Sequence, residues 1–213
     1  MNSSMISSQI RSVIHLNHKR CRKYLMLAAS LLLASGFVIK ANATTLVRMD
    51  LAELARSAEI IVRARCIHSE TKWESESIST FDDFALLETF KGAPPQILRV
   101  RLPGGRVNHT AVKIEGVPAF AIGEETILFV EKSSAGDYGI TSWAQGTFRI
   151  HRESSGDARL TQDTSHFAVF DPHTRQFTTA GIRNLPLNDF RQQLAQAFNT
   201  PQPTNQRNSG SKQ

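Results

Sequence analysis

The 213-residue chain carries 25 Lys and Arg against 19 Asp and Glu, a formal net charge of +6. Six of those bases (Arg11, Lys19, Arg20, Arg22, Lys23 and Lys40) and none of the acids precede residue 44, so residues 44–213 hold 19 of each. Zero net charge there removes the whole-chain argument for a nucleic-acid partner.

Lys19, Arg20, Arg22 and Lys23 form a basic cluster, Tyr24–Ile39 an apolar run, and Ala41-Asn42-Ala43 a small-x-small site. This is the three-part layout of a secretory signal cleaved after Ala43, and it predicts a secreted or periplasmic product. The apolar run falls short of the roughly 20 residues of a membrane span, and Ser30, Ser35 and Gly36 interrupt it. No stable span is expected after cleavage. Cys21 leaves with the signal, so Cys66 remains alone and no intramolecular disulfide forms. Residues 46–199 are long enough for one domain with its own core. Residues 200–213 are polar, rich in Pro, Asn and Ser, and predict a disordered tail.

In chain order, Asp50 and Glu53 stand in capping-box positions ahead of a short helix whose apolar face is Leu51, Leu54 and Ala55. The period then drops to two, with Ile60, Val62, Ala64 and Cys66 on one side and Arg63 and Arg65 on the other, which predicts a strand. Residues 84–90 (FALLETF) are apolar on both faces, as a buried strand would be, and stop at Lys91-Gly92-Ala93-Pro94-Pro95. Leu98, Val100 and Leu102 alternate with Arg99 and Arg101 in the next strand. Residues 126–132 and 137–153 are strand-like and joined by a Ser-Ser-Ala-Gly turn, a hairpin signal. A weaker strand candidate covers 158–161, and two short runs flank an Asp-Pro turn within 166–179. A closing helix near Asn188 places Phe190, Leu194 and Phe198 at i, i+4 and i+8. The expected fold is mainly β: a small antiparallel OB-like barrel with a short N-terminal and a C-terminal helix, a β-sandwich being the alternative.

The motifs LAELARSAEIIVRARC, FKGAPP, PGG, GVPAFAIGEETILFV and AQGTFRI, within about residues 50–150, resemble those of a family of uncharacterised bacterial secreted proteins. That layout is similar to the OB-fold of netrin-like and tissue-inhibitor-of-metalloproteinase domains, without their cysteines. The resemblance implies an OB-like core and carries no established activity.

No assembled catalytic set emerges. Cys66 continues an apolar strand face, where a free cysteine behaves as a small hydrophobe, although His68, two residues on, would share its side of a regular strand. The histidines lack zinc-site spacings, and no motif calls for a metal or cofactor. Asp82-Asp83 and Glu124-Glu125 are adjacent pairs, whose members point to opposite faces of a strand. Arg63, Arg65, Arg99 and Arg101 form an outward basic stripe without interleaved aromatics, as solvated faces do. The stretch from Leu102 to Glu125 has glycines at 104, 105, 116 and 123, yet Val112, Ile114, Val117 and Phe120 make it too apolar for a loose loop. It is expected to fold as a cover with Arg106, Asn108 and His109 at its tip, the candidate binding residues. The leading expectation is a non-enzymatic binding module for a protein or peptide partner. The rivals are an envelope hydrolase assembled from His109 and distant carboxylates, and a structural subunit of a surface assembly.

Mass spectrometry of the protein from periplasmic or extracellular fractions is expected to find a chain beginning at Thr44. An intact Met1 terminus in the cytoplasm would exclude export.

Overall fold

A computed structural model describes residues 46–133, 136–153, 156–164, 168–179 and 181–199, all within the second of the chain's two units, 44–213. The expected signal (1–43), the expected tail (200–213), the centre of the Ser-Ser-Ala-Gly turn and His166 lie outside the described residues.

Helix α1 (Leu51–Ser57) begins with the expected capping box: the Asp50 carboxylate accepts from the Glu53 amide at 2.7 Å, and the Glu53 carboxylate accepts from the Asp50 amide at 2.8 Å. Each bond satisfies an amide that the first helical turn leaves without a partner. At the other end the Lys91 ammonium donates to the carbonyls of Ala55 (2.7 Å) and Ala58, where a cation also suits the negative end of the helix.

Strands β1 (Ile60–Glu74) and β2 (Ser77–Lys91) form a hairpin with 15 residues in each arm. Both are longer than their apolar periodicity suggests, because polar residues at the far end pair with one another: Thr71 faces Thr80, and Lys72 faces Ser79. Leu87 is exposed, so the 84–90 segment is not buried on both faces. Then follow β3 (Ile97–Pro103), β4 (Gly105–Val107), β5 (Thr110–Val112), β6 (Glu125–Lys132) and β7 (Tyr138–Ile140). A 3-10 turn (Trp143–Gly146) leads to β8 (Thr147–Arg152), β9 (Ala158–Gln162), the short β10 (Val169–Asp171) and β11 (Gln176–Thr178), β12 (Leu185–Pro186) and helix α2 (Leu187–Asn199).

Eight strands make one sheet in the order β1-β2-β3-β7-β6-β8-β9-β12, and β1 also pairs with β6. The β3–β7 pairing, through Val100 and Tyr138, is parallel, so the sheet is mixed. Among the described residues the architecture is therefore mainly β with two helices and a large mixed sheet, larger than the small antiparallel barrel expected. β8, β9 and β12 extend it beyond β6, drawn there by the apolar surface under α2.

Because strand side chains alternate, β1 feeds two cores. Ile61, omitted from the expected apolar face, is fully buried with Phe129, Phe148, Leu160, Phe190 and Leu194 between the sheet and the helices. Ile60, Val62, Ala64 and Cys66 point the other way, onto Phe84, Leu98, Val100, Leu128 and Val130. In α2 the buried stripe is Leu187, Phe190, Leu194 and Ala197, while Phe198 is 45% exposed. The 3.6-residue period turns position 198 away from the stripe that Phe190 and Leu194 begin.

Phe148 lies 5.5 Å from Phe129 and 5.3 Å from Phe190, ring centroid to centroid, with no exposed surface. Phe148→Ala is expected to cost about 3–5 kcal/mol in denaturant unfolding. Phe177→Ala, on the β10–β11 ribbon at a residue 63% exposed whose ring meets that of Phe170 at 5.5 Å, is expected to cost under about 1.5 kcal/mol. Equal losses would contradict this placement of the core.

Candidate functional site

The site begins with one extra residue in β1. Cys66 pairs with Phe84, but His68 pairs with Asp83, leaving Ile67 without a register partner. Such a bulge reverses the phase of every later side chain. Ser69 and Thr71 therefore turn to the side of Cys66, opposite Asp82 and Thr80, while His68 moves to the outer face beside Asp83. The expected sharing of a side by Cys66 and His68 is undone here. The thiol is fully buried, and burial first, then the charge of Asp82, pushes its pKa up to about 11. A thiol so held is core filler.

The two carboxylates at 82 and 83 do diverge, with opposite fates. Asp83 receives two hydrogen bonds from Arg99, at 2.6 and 2.8 Å, which hold its pKa below the usual aspartate range. Asp82 points inward, is 1% exposed, and neither of its oxygens has a hydrogen-bond partner. Burial raises its pKa; the Ser69 hydroxyl, its register partner, tempers that rise without reaching hydrogen-bond geometry. The charges of Asp83 and Glu124 add to the rise.

Asp82 lines a cavity of about 460 Å³, in the range that small ligands occupy. Ser69, Thr71, Thr80 and Asp82 supply its polar part; Leu102, Ile114, Val117 and Phe120 supply apolar walls. The walls come from the glycine-bearing stretch, which does fold as a cover. Gly104 (φ +92°) and Gly105 (φ +130°) bring the chain down onto the hairpin, where a Cβ on Gly105 would meet the Thr80 hydroxyl oxygen at 2.4 Å and the Thr71 methyl at 2.5 Å. Only glycine permits that approach in that conformation. β4 and β5 then form a short antiparallel ribbon. Beyond it, Phe120 packs edge-on against Phe84 at 5.0 Å. Arg149 donates to the Ala119 carbonyl at 3.0 Å, pairs with Glu124 and with Asp163 (2.8 Å), and lies 5.5 Å over the Phe120 ring. One half of the cover is clamped to β8, and the other half is the ribbon, whose first residue, Gly105, rests on the β1–β2 hairpin.

The sequence-derived candidates fall at different places on that ribbon. Arg106 is exposed on β4 and lines the cavity, as Lys113 does beyond β5. Asn108 and His109 form the exposed turn between β4 and β5 and do not line it; Asn108 takes the left-handed conformation (φ 52°) that asparagine tolerates. No histidine lines the cavity, and among the described residues no cluster of three His, Cys, Asp or Glu has metal-site geometry. The hydrolase arrangement of His109 with gathered carboxylates is not what the cavity presents.

Nor is the arginine stripe a free basic surface. Arg63 pairs with Glu88 (3.2 Å) and Glu125 (2.9 Å), Arg65 with Glu125 (3.6 Å), Arg99 with Asp83, and Arg101 with Glu74 (2.7 Å). The residues that sequence reasoning passed over are Ser69, Thr71, Thr80 and Asp82. Asp82 had a legible signal: Ile78, Thr80, Asp82, Phe84 and Leu86 share one strand phase, which puts an acid among core residues.

Comparison of the chain with protein-family models gives no match, and comparison with curated proteins gives none.

A carboxyl whose pKa is raised by folding opposes the folded state as pH climbs. Below the ordinary aspartate value of 3.8 both states are protonated and Asp82 exerts no effect; above it the unfolded chain ionises first and stability falls until the folded pKa is passed. Asp82→Asn is therefore expected to raise the melting temperature at pH 7 and to lose that advantage below pH 3.8. An advantage unchanged across that range, or a loss at pH 7, would mean the carboxylate is stabilised in the fold.

Proposed function

We propose that the protein is an exported, non-enzymatic binding module that takes up part of a protein or peptide partner beneath the 103–124 cover. The observation that carries this reading is the cavity itself: apolar walls, one buried carboxyl without a partner, and an exposed ribbon at the mouth. Apolar concavities with a few convergent polar groups are the usual form of ligand sites. A buried carboxyl without donors is a standing energetic cost that structural packing alone would remove.

The same proposal includes an OB-like barrel as the scaffold. Its support is the circuit of pairings β1–β2–β3–β7–β6–β1, with β3 and β7 parallel, from which β8, β9 and β12 branch. The hairpin that bears Ser69, Thr71, Thr80 and Asp82 is the longest element of that circuit, and its far end carries the cover. Export rests on the amino-terminal layout, and the resemblance to uncharacterised bacterial secreted proteins is compatible with it.

Panning a random-peptide display library against the purified chain tests the reading. Related peptides should be enriched, and Ala111→Trp, at an exposed position on the cavity's lip, should weaken them by at least about tenfold, or 1.4 kcal/mol, with an unchanged melting temperature. No enrichment, or peptides indifferent to Ala111→Trp, would exclude the cavity as the partner's seat.

A further inference from the structure

The polar end of the cavity has a definite hydrogen-bonding character. Thr80 donates its one hydroxyl proton to the Gly104 carbonyl at 2.8 Å. In the 3.0 Å contact between Thr71 and Thr80, Thr71 must then be the donor, which leaves its own oxygen as an acceptor only. The Asp82 oxygens accept no hydrogen bond in the structure, and the Ser69 hydroxyl is the side chain that tempers the carboxyl's raised pKa. Ser69 is the one side chain of the four with a proton left to give. A ligand that completes this end must bring donors and few acceptors.

We propose, resting on the binding reading above, that the cavity seats a primary ammonium at the end of an apolar stem, with Asp82 as its counter-charge. An ammonium has three donors and no acceptor, matching the Asp82 carboxylate and the Thr71 and Ser69 oxygens. The stem lies along Leu102, Val117 and Phe120. A guanidinium would bring five donors to the same few acceptors and leave some unpaired in an apolar enclosure. The ammonium brings the donors that the Asp82 oxygens lack and adds an opposite charge. Arg106 and Lys113 stand at the rim, so an acidic group at the outer end of the stem adds to the attraction. A lysine side chain with an acidic neighbour and the free amino end of a peptide both offer this chemistry.

Calorimetric and NMR titrations of the purified chain use n-hexylammonium, 6-aminohexanoate, hexanoate and hexanol as probes. The two ammonium probes should bind saturably and shift the Thr71 and Thr80 amide signals, 6-aminohexanoate more tightly, while hexanoate and hexanol do not. Asp82→Asn should weaken the ammonium probes at least about tenfold, and Asp83→Asn, on the outer face, should leave them unchanged. An N-acetylated peptide with one lysine and a lysine-free peptide with a free amino end then separate the two sources; binding by either supports the proposal. Hexanol binding as well as hexylammonium in the wild type, a readout that needs no variant to fold, would overturn it, as would undiminished affinity in Asp82→Asn. Selected peptides that lack any amine yet depend on the cavity lip would overturn this inference and keep the binding module. Hexylammonium binding without any selected peptide would do the reverse.

Discussion

Strand β1 is hydrogen-bonded on both edges, to β2 and to β6, and the bulge at Ile67, the last of three register shifts against β2, divides it into two functions. Before the bulge its side chains are structural: Ile61 anchors the helices, while Ile60, Val62, Ala64 and Cys66 fill the second core. After it, the phase reverses and the inward positions become Ser69 and Thr71. Without that reversal His68 and Glu70 would face Asp82, and the cavity would gather charge. The polar composition of the site follows from one backbone irregularity.

The cover depends on the same hairpin. Gly104 donates its amide to the Ile78 carbonyl at 2.8 Å and accepts from Thr80, while Gly105 rests on Thr71 and Thr80. Clamping by Arg149 fixes the cover's far half against β8. Asp82 is thus enclosed by parts of the fold that each have independent reasons for their positions. An aspartate without a partner in such a place lowers stability. A leucine of similar size would remove that cost, so the carboxyl is most readily understood through something that approaches it from outside.

Much of the scaffold was legible because it depends on local signals. The Asp50–Glu53 box, the alternation of Leu98, Val100 and Leu102, and the hairpin after Lys132 all express backbone chemistry or period-two burial within a few residues. The polar halves of β1 and β2 were not legible. Their strand character comes from pairing with each other, which periodicity in one segment does not encode. The bulge at Ile67 has no glycine or proline to announce it. The cover was recognisable from its apolar residues, and Asn108 and His109 stand at its tip in the ribbon's turn, but the cavity beneath it was not. Asp82 was visible as one of two adjacent acids, but which of them turns inward follows only from the phase that Phe84 sets.

The account stands most directly on the state of one carboxyl. Titration of the Asp82 side-chain carbon signal by NMR should give a pKa above 3.8 in the free protein, moving downward when hexylammonium saturates the cavity. A value at or below 3.8 that hexylammonium leaves unmoved would show the carboxyl to be already satisfied, and the cavity would lose its claim to be a site.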